Sequence, residues 1–241
     1  MDGLTESPSG ELNVTIREWL RLHIEAVWGI TLPPLRGEDI ELTQDRALPP
    51  WSFYQARWSQ EHLSIWSPGI SPDERARLLD QAQCAGVAYD PSPGMHREVV
   101  FQQGHPPRHP LGSMLYLSRR LNEADASLVD RFEPASTDYY LSPQRAPCIG
   151  VLAAGELVSV AHSSRRTREA CELGIYTRPE ARRHGYALAA TAAWSDAIRQ
   201  EGLHPIYSAS ADNIASLRLA ATAGYVALVQ SVYGPVVGQA E

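Results

Sequence analysis

The run Thr177-Arg-Pro-Glu-Ala-Arg182-Arg183-His184-Gly185-Tyr186-Ala187 concentrates groups that can hold an anion. A strand pattern ends at Thr177 and a helical pattern begins near Gly185. The first turn of a helix presents unpaired backbone N–H groups and a partial positive charge. Gly185 has no Cβ, so a phosphate can approach the backbone there, and Ala187 adds only a methyl group. Arg182 and Arg183 can add charge-assisted hydrogen bonds. Together these features suit a pyrophosphate cradle at a helix N-terminus. Taken alone, the segment also fits a solvated arginine-rich turn that merely starts a helix. A dinucleotide fingerprint would require Gly-x-Gly-x-x-Gly after the strand, and this turn has one glycine.

A second group follows. Asn213-Ile-Ala-Ser216 opens a helical pattern that closes on Ala223-Gly224-Tyr225. Asn213 is placed to cap its own helix, and Ser216 faces either a ligand or solvent. Upstream, Glu172 lies on the strand that leads into the cradle. Strand alternation puts Glu172, Gly174 and Tyr176 on one face and Leu173, Ile175 and Thr177 on the other. Glu172 is either a proton acceptor or the partner of an arginine such as Arg165, Arg166 or Arg168.

Arg182-x-x-Gly185-x-Ala187, with Pro179 before it, resembles the Arg/Gln-x-x-Gly-x-Gly/Ala signature of the GNAT acetyltransferases. The Asn213-x-x-Ser216 helix followed by Gly224-Tyr225 resembles that family's second motif. The two motifs and the elements between them cover about Val151 to Val232. The resemblance implies that acetyl-CoA is a co-substrate and that its pyrophosphate lies on the backbone N–H groups from His184 through Gly185 and Tyr186 to Ala187. It implies further that Ile175 and Thr177 pair through their backbone with the pantetheine arm, and that Asn213 bonds that arm. The activity implied is direct acetyl transfer to an amine on a small molecule, amino acid or peptide. Glu172 is then the expected base. Many family members carry a thiol-protonating tyrosine seven residues after the helix asparagine; here that position is Ala220. Tyr233, at the end of the last strand, is the expected substitute, while Tyr225 falls where an aromatic is usually core. The missing tyrosine leaves a non-catalytic acyl-CoA sensor or interaction module as the alternative. A homodimer is common in the family and is left open.

The elements that must position these residues alternate. From Ile149 the patterns run β-β-β-α-β-α-β: strands at 149–154, 157–162 and 171–177, a helix over 185–200, a strand at 205–209, a helix over 214–223 and a strand at 226–232. The fold class expected is α/β, a mixed twisted sheet flanked by helices, with the GNAT-like domain over 111–241. Residues 1–110 are expected to form an added, partly helical region, either a degenerate GNAT-like half or one that shapes the acceptor side. It holds helices over 14–28 and 74–85 and a short strand at 98–102. Residues 31–72 resist assignment, 90–110 read as a connection, and 1–12 as a disordered tail. Ser113–Leu117 has the apolar look of a strand, and Leu121–Phe132 carries an Asn-x-x-Asp helix start.

Composition narrows the chemistry. All 21 basic residues are arginine, which removes lysine Schiff bases and lysine-dependent phosphate loops. The net charge of −7 argues against nucleic acid and anionic membranes as partners. No apolar run approaches the roughly 18 residues of a membrane span. The polar N-terminus lacks a signal-peptide pattern, so a cytoplasmic protein is expected. Cys84, Cys148 and Cys171 form no metal or disulfide pattern and are expected as buried thiols. His96, His105 and His109 cluster without an acidic partner, and no metal is expected. Trp51, Trp58 and Trp66 suggest one packed aromatic face. Asp138-Tyr139-Tyr140 is a weaker candidate for lining the acceptor cleft. Arg165-Arg166-x-Arg168 is a charged turn that fits an acidic acceptor, the CoA 3′-phosphate or plain solvent.

Overall fold

A computed structural model describes residues 15–87, 94–107 and 112–236, with the side chains of 84–87, 112–114 and 235–236 left aside. The tail expected over 1–12, the side chain of Cys84 and His109 lie outside the described residues. Before residue 110 the chain forms helix α1 (Ile16–Trp28), strands β1 (Asp39–Glu41), β2 (Trp51–Trp58) and β3 (Glu61–Trp66), helix α2 (Pro72–Val87) and strand β4 (His96–Gln103). After it come β5 (Ser118–Arg120), α3 (Ala126–Phe132), α4 (Thr137–Tyr140), β6 (Ile149–Ala153), β7 (Glu156–Arg166), β8 (Ala170–Thr177), α5 (Tyr186–Gln200), β9 (His204–Ser210), α6 (Ile214–Thr222) and β10 (Tyr225–Val236). The expected order from Ile149 is present in full, and the fold is a mixed sheet flanked by helices.

All ten strands join one sheet in the order β1-β3-β2-β10-β4-β9-β8-β7-β6-β5. Only β1–β3 and β8–β9 are parallel among its pairs. The sheet runs straight through the expected division at residue 110. β4 lies between β9 and β10, inside the segment read as a connection, and β10 pairs with β4 on one edge and β2 on the other. The N-terminal region therefore supplies four strands as well as two helices. The run at 113–117 corrects to a 3-10 turn over Gly112–Leu117, and strand pairing begins only at Ser118. Tyr116 in that turn is 91% exposed; short apolar runs do not by themselves distinguish a strand from a turn.

Local chemistry explains the helices that matter. Thr15 caps α1 by accepting from the Glu18 N–H, and Gly29 closes it in the left-handed region at φ 64°. One face of α1 buries Trp19, Leu20, Leu22 and Ile24. Asn122 and Asp125 form the capping box foreseen at the entrance to α3. Trp51 and Trp58 enter one core cluster and Trp66 another, so the three tryptophans are core but not one face. Cys148 and Cys171 are buried free thiols.

Alternation along β8 decides which side each residue serves. Ala170 packs with Trp19 and Leu22 of α1, whereas Cys171 packs with the α5 residues Ala190 and Trp194. Glu172 therefore points to the α1 side, and Leu173 and Ile175 to the α5 side. Gly174 follows on the α1 side, where the His162 ring lies across it. A Cβ at Gly174 would stand 2.4 Å from that ring. His162 is held by Tyr139, whose hydroxyl is 3.1 Å from Nε2, and by the edge of Tyr140, so it cannot swing away. Gly174→Ala is expected to cost about 1–3 kcal/mol through overpacking; a urea midpoint unchanged from the parent would contradict this tight contact.

Candidate active site

The parallel ladder between β8 and β9 lasts three pairs, from Ala170–His204 to Glu172–Ile206, and then the strands part. A bulge in β7 sits at this point, between Ser163 and Arg165. Bulges increase local twist and re-aim the strand they pair with. The extra residue, Ser164, bonds both the backbone carbonyl and Oε2 of Glu172 through its hydroxyl. The result is a gap through the sheet, with one cleft on each side.

The larger cleft, of about 810 Å³, opens on the α5–α6 side. It is lined from β8 by Ile175 and Thr177, from the turn by Arg182, Arg183, Gly185, Tyr186 and Ala187, and from α6 by Asn213 and Ser216. Nine of the ten residues expected to hold a cofactor thus meet in one place. Gly185 sits at the N-cap of α5 in the left-handed region at φ 81°, where a side chain would be strained. No side chain caps this helix, so its first N–H groups are open to a ligand. Arg182 and Arg183 are exposed, with no carboxylate partner among the described residues; Arg182 reaches only the Thr177 carbonyl. The tenth residue, His184, does not line the cleft. Its ring stacks on Tyr186 at 5.6 Å and its Nδ1 lies 2.8 Å from the Arg182 carbonyl.

Asn213 accepts from the Ser216 N–H at 3.1 Å and so caps α6 as well as facing the cleft. The Ser216 hydroxyl is 2.8 Å from that of Tyr207, which steadies the first turn. The cleft also holds Arg218, Leu219 and Thr222, which sequence reasoning missed. The spacings of three and four that link Ser216 to Leu219, Leu219 to Thr222 and Arg218 to Thr222 were the available signal. Ala220 is fully buried beside Tyr207 and Tyr225 and contributes no chemistry. Tyr225 is core: its hydroxyl meets Ser195 at 2.7 Å.

The smaller cleft, of about 350 Å³, lies on the α1 side and holds both residues expected to be catalytic, Glu172 and Tyr233. Glu172 is 6% exposed. Its Oε1 accepts from Ser208 at 2.7 Å, and its Oε2 from Arg165 at 3.0 Å and Ser164 at 3.1 Å. Glu172 is thus arginine-paired and cleft-facing together. Tyr233 is clamped between Tyr54 and His96, with ring centroids at 5.8 and 5.3 Å. Its hydroxyl makes no hydrogen bond among the described residues. Burial first, then the Glu98 and Glu172 carboxylates, raise its pKa and keep it a phenol.

Glu98, from the N-terminal region, lines the same cleft and had no role in the sequence reading. It is 8% exposed. Its Oε1 accepts from His23 Nε2 at 3.0 Å and from the Tyr54 hydroxyl at 2.7 Å. The Ser231 hydroxyl, 2.7 Å from that of Tyr54, completes the chain. Neither the spacing of His23 and Glu98 nor their local pattern signals this pair. Tyr139 and Tyr140 line neither cleft; they pack on His162, whose pKa burial and Arg145 pull down to about 4. Among the described residues no group of three His, Cys, Asp or Glu side chains could hold a metal ion. Nor is any helix there long and apolar enough to cross a membrane.

Comparison with known proteins bears on this geometry. The family model described as GNAT acetyltransferase matches residues 115–230. No curated protein matches the chain. Among solved structures, the chain is similar to a GNAT-family acetyltransferase from Colwellia psychrerythraea, at 16% identity and a TM-score of 0.50, over 67% of this chain and 60% of that one. It is also similar to a protein from Novosphingobium aromaticivorans assigned to the GNAT-family acetyltransferases, at 20% identity and a TM-score of 0.46, over 60% and 68% of the two chains. A third similar structure is an aminoglycoside N-acetyltransferase in complex with CoA, at 19% identity and a TM-score of 0.38, over 45% of this chain and 90% of that one.

Proposed function

We infer that this protein, whose residues 115–230 match the GNAT acetyltransferase family model, binds acetyl-CoA in the larger cleft and transfers its acetyl group to an amine held in the smaller one. The observation that carries this reading is the convergence of two distant segments, 175–187 and 213–222, on one cleft at an uncapped helix N-terminus. A pyrophosphate fits such a terminus by charge and by hydrogen-bond donors, and Arg182, Arg183 and Arg218 supply further cations. Ile175 and Thr177 present the strand edge left free where β8 parts from β9, which suits the amide groups of a pantetheine arm. Asn213 and Ser216 close the far wall.

Acetyl-CoA, when bound, supplies a thioester carbonyl carbon for the amine to attack and a thiolate that leaves. The chain's part is to manage protons on the α1 side of the gap. Ser208 is bonded to Glu172, so it can take the amine's proton while passing its own to the carboxylate. Arg165 and Ser164 hold the Glu172 carboxylate in place beside Ser208. Tyr233 holds a phenolic proton in the same cleft and is the group available to the departing thiolate in place of Ala220. The N-terminal region shapes the acceptor side: α1 and β4 supply Trp28, His96 and Glu98 to the cleft.

CoA at about a hundred times its Kd is expected to stabilise the fold by about 2.7 kcal/mol, which for a chain of this size is about 5–10 °C in Tm. A melting curve unmoved by millimolar CoA would reject the reading. Burial of Ala220 favours one other possibility, an acyl-CoA sensor without turnover. CoA binding with no thiol release from acetyl-CoA across a broad amine panel would select the sensor.

A further inference from the structure

A third cleft, of about 630 Å³, adjoins the smaller one; Val27, Trp28 and Arg165 line both. Its charge has one sign. Arg145, Arg165 and Arg166 line it, and no carboxylate does. Arg165 and Arg166 each spend one nitrogen on a carboxylate, Glu172 and Glu201 respectively. Arg145 has no carboxylate partner among the described residues: it donates to the Ser164 carbonyl and lies over the Tyr139 ring at 4.3 Å. A guanidinium carries five N–H donors, so all three arginines keep donors for an anion.

At the other end of the joined clefts Arg97 and Arg165 are paired with Asp212 and Glu172, which leaves Glu98 as the carboxylate without an arginine among the described residues. Both hydrogen bonds of Glu98 among the described residues fall on Oε1, from His23 and Tyr54; Oε2 has no partner there and is not sealed away from the cleft. Trp28 and Tyr233 stand edge to face beside it at 5.3 Å and form an aromatic wall. An unshared carboxylate oxygen against aromatic rings suits an ammonium or amine. A plain alkylamine would leave the arginine end unused, and a polyamine would meet repulsion there.

We propose that the acceptor is a small molecule bearing both an amine and an anionic group, with the amine against Glu98 Oε2 and the anion among Arg145, Arg165 and Arg166. This rests on the acetyl-transfer reading above. The test measures thiol release from acetyl-CoA by the full chain with α-, β- and γ-amino acids, each beside its own carboxamide, and follows CoA-dependent Tm in parallel. The pairs keep the amine and remove the anion. At least one acid is expected to exceed its amide in kcat/KM by about tenfold or more, chiefly through KM, as one charge-assisted contact provides. Arg145→Gln should pull that ratio towards one while the CoA shift of Tm shows the variant folded; Arg166→Gln gives an independent second reading. Amides that match their acids, or no acid turned over while CoA still raises Tm, would overturn the proposal and spare the CoA site. Loss of the CoA shift in the parent protein would instead overturn the underlying reading, and this one with it.

Discussion

Glu172→Gln is expected to lower kcat by about 10²–10⁴-fold, the usual contribution of a positioned base, with CoA affinity retained. The separation follows from alternation along β8. Glu172 points to the α1 side with Ser208 and Arg165, while the larger cleft, proposed for CoA, opens on the α5–α6 side. Glutamine keeps the shape of the side chain and its acceptor oxygen but cannot take up a proton. Ser208→Ala separates two routes. If the hydroxyl passes the proton, its loss approaches that of Glu172→Gln; if the amine meets the carboxylate directly, the loss is slight. Single-turnover rates with saturating acetyl-CoA, together with the CoA shift of Tm, check both variants. A Glu172→Gln enzyme within about threefold of the parent would remove Glu172 from the proton path.

The two clefts differ in how far the sequence exposes them, and the reason is physical. The larger cleft is built from a turn and two helix starts. A helix terminus offers its N–H groups whatever lies far away, so residues 177–187 and 213–216 declare their chemistry locally. The expectation for His184 concerns its backbone N–H; its ring is turned away from the cleft and stacks on Tyr186. The smaller cleft draws on Trp28, Glu98, Glu172, Ser208 and Tyr233, which only sheet pairing brings together. β4 reaches this site by inserting between β9 and β10, and the linker-like composition around 90–110 gives no sign of that. β2 and β3 escaped notice for a related reason. Phe53 to Ala56 of β2 and Leu63 to Trp66 of β3 are buried in succession, so both faces are covered there and the period of two that marks a half-exposed strand is absent. Glu172 and Tyr233 line one cleft; Arg165 stood among the arginines open to Glu172 in the sequence, but Ser208, Tyr54 and His96 follow only from the assembled sheet.

His23→Leu is expected to destabilise the protein by about 3–5 kcal/mol near pH 5.5, the cost of leaving a buried charge without its partner. His23 is fully buried on α1, and its Nε2 lies 3.0 Å from Glu98 Oε1 on β4. The pair ties α1, which contributes Val27 and Trp28 to the smaller cleft, to β4, which contributes His96 and Glu98. Burial works against the charged form of each group, yet their mutual attraction and hydrogen bond prevail: His23 is raised above its ordinary 6.5 and Glu98 lowered below 4.5. A raised histidine contributes stability that is complete below 6.5 and lost as pH climbs through its folded value. A lowered carboxylate contributes stability that is complete above 4.5 and lost as pH falls through its own folded value. The difference in unfolding free energy between parent and His23→Leu should therefore be greatest between about pH 4.5 and 6.5 and shrink on both sides. His23 Nδ1 is buried with no partner among the described residues, a cost that falls on the charged form and limits the gain. In the variant, Glu98 keeps only Tyr54, so burial dominates and acid should relieve part of the loss. Replacing Glu98 with leucine as well removes the stranded charge and should recover part of the stability, which a double-mutant cycle measures. Urea titrations across this range decide the matter: a parent–variant difference below about 1 kcal/mol at pH 5.5, or one that grows towards pH 9, would mean that His23 and Glu98 gain nothing from opposite charge and that α1 is held over the smaller cleft by packing alone.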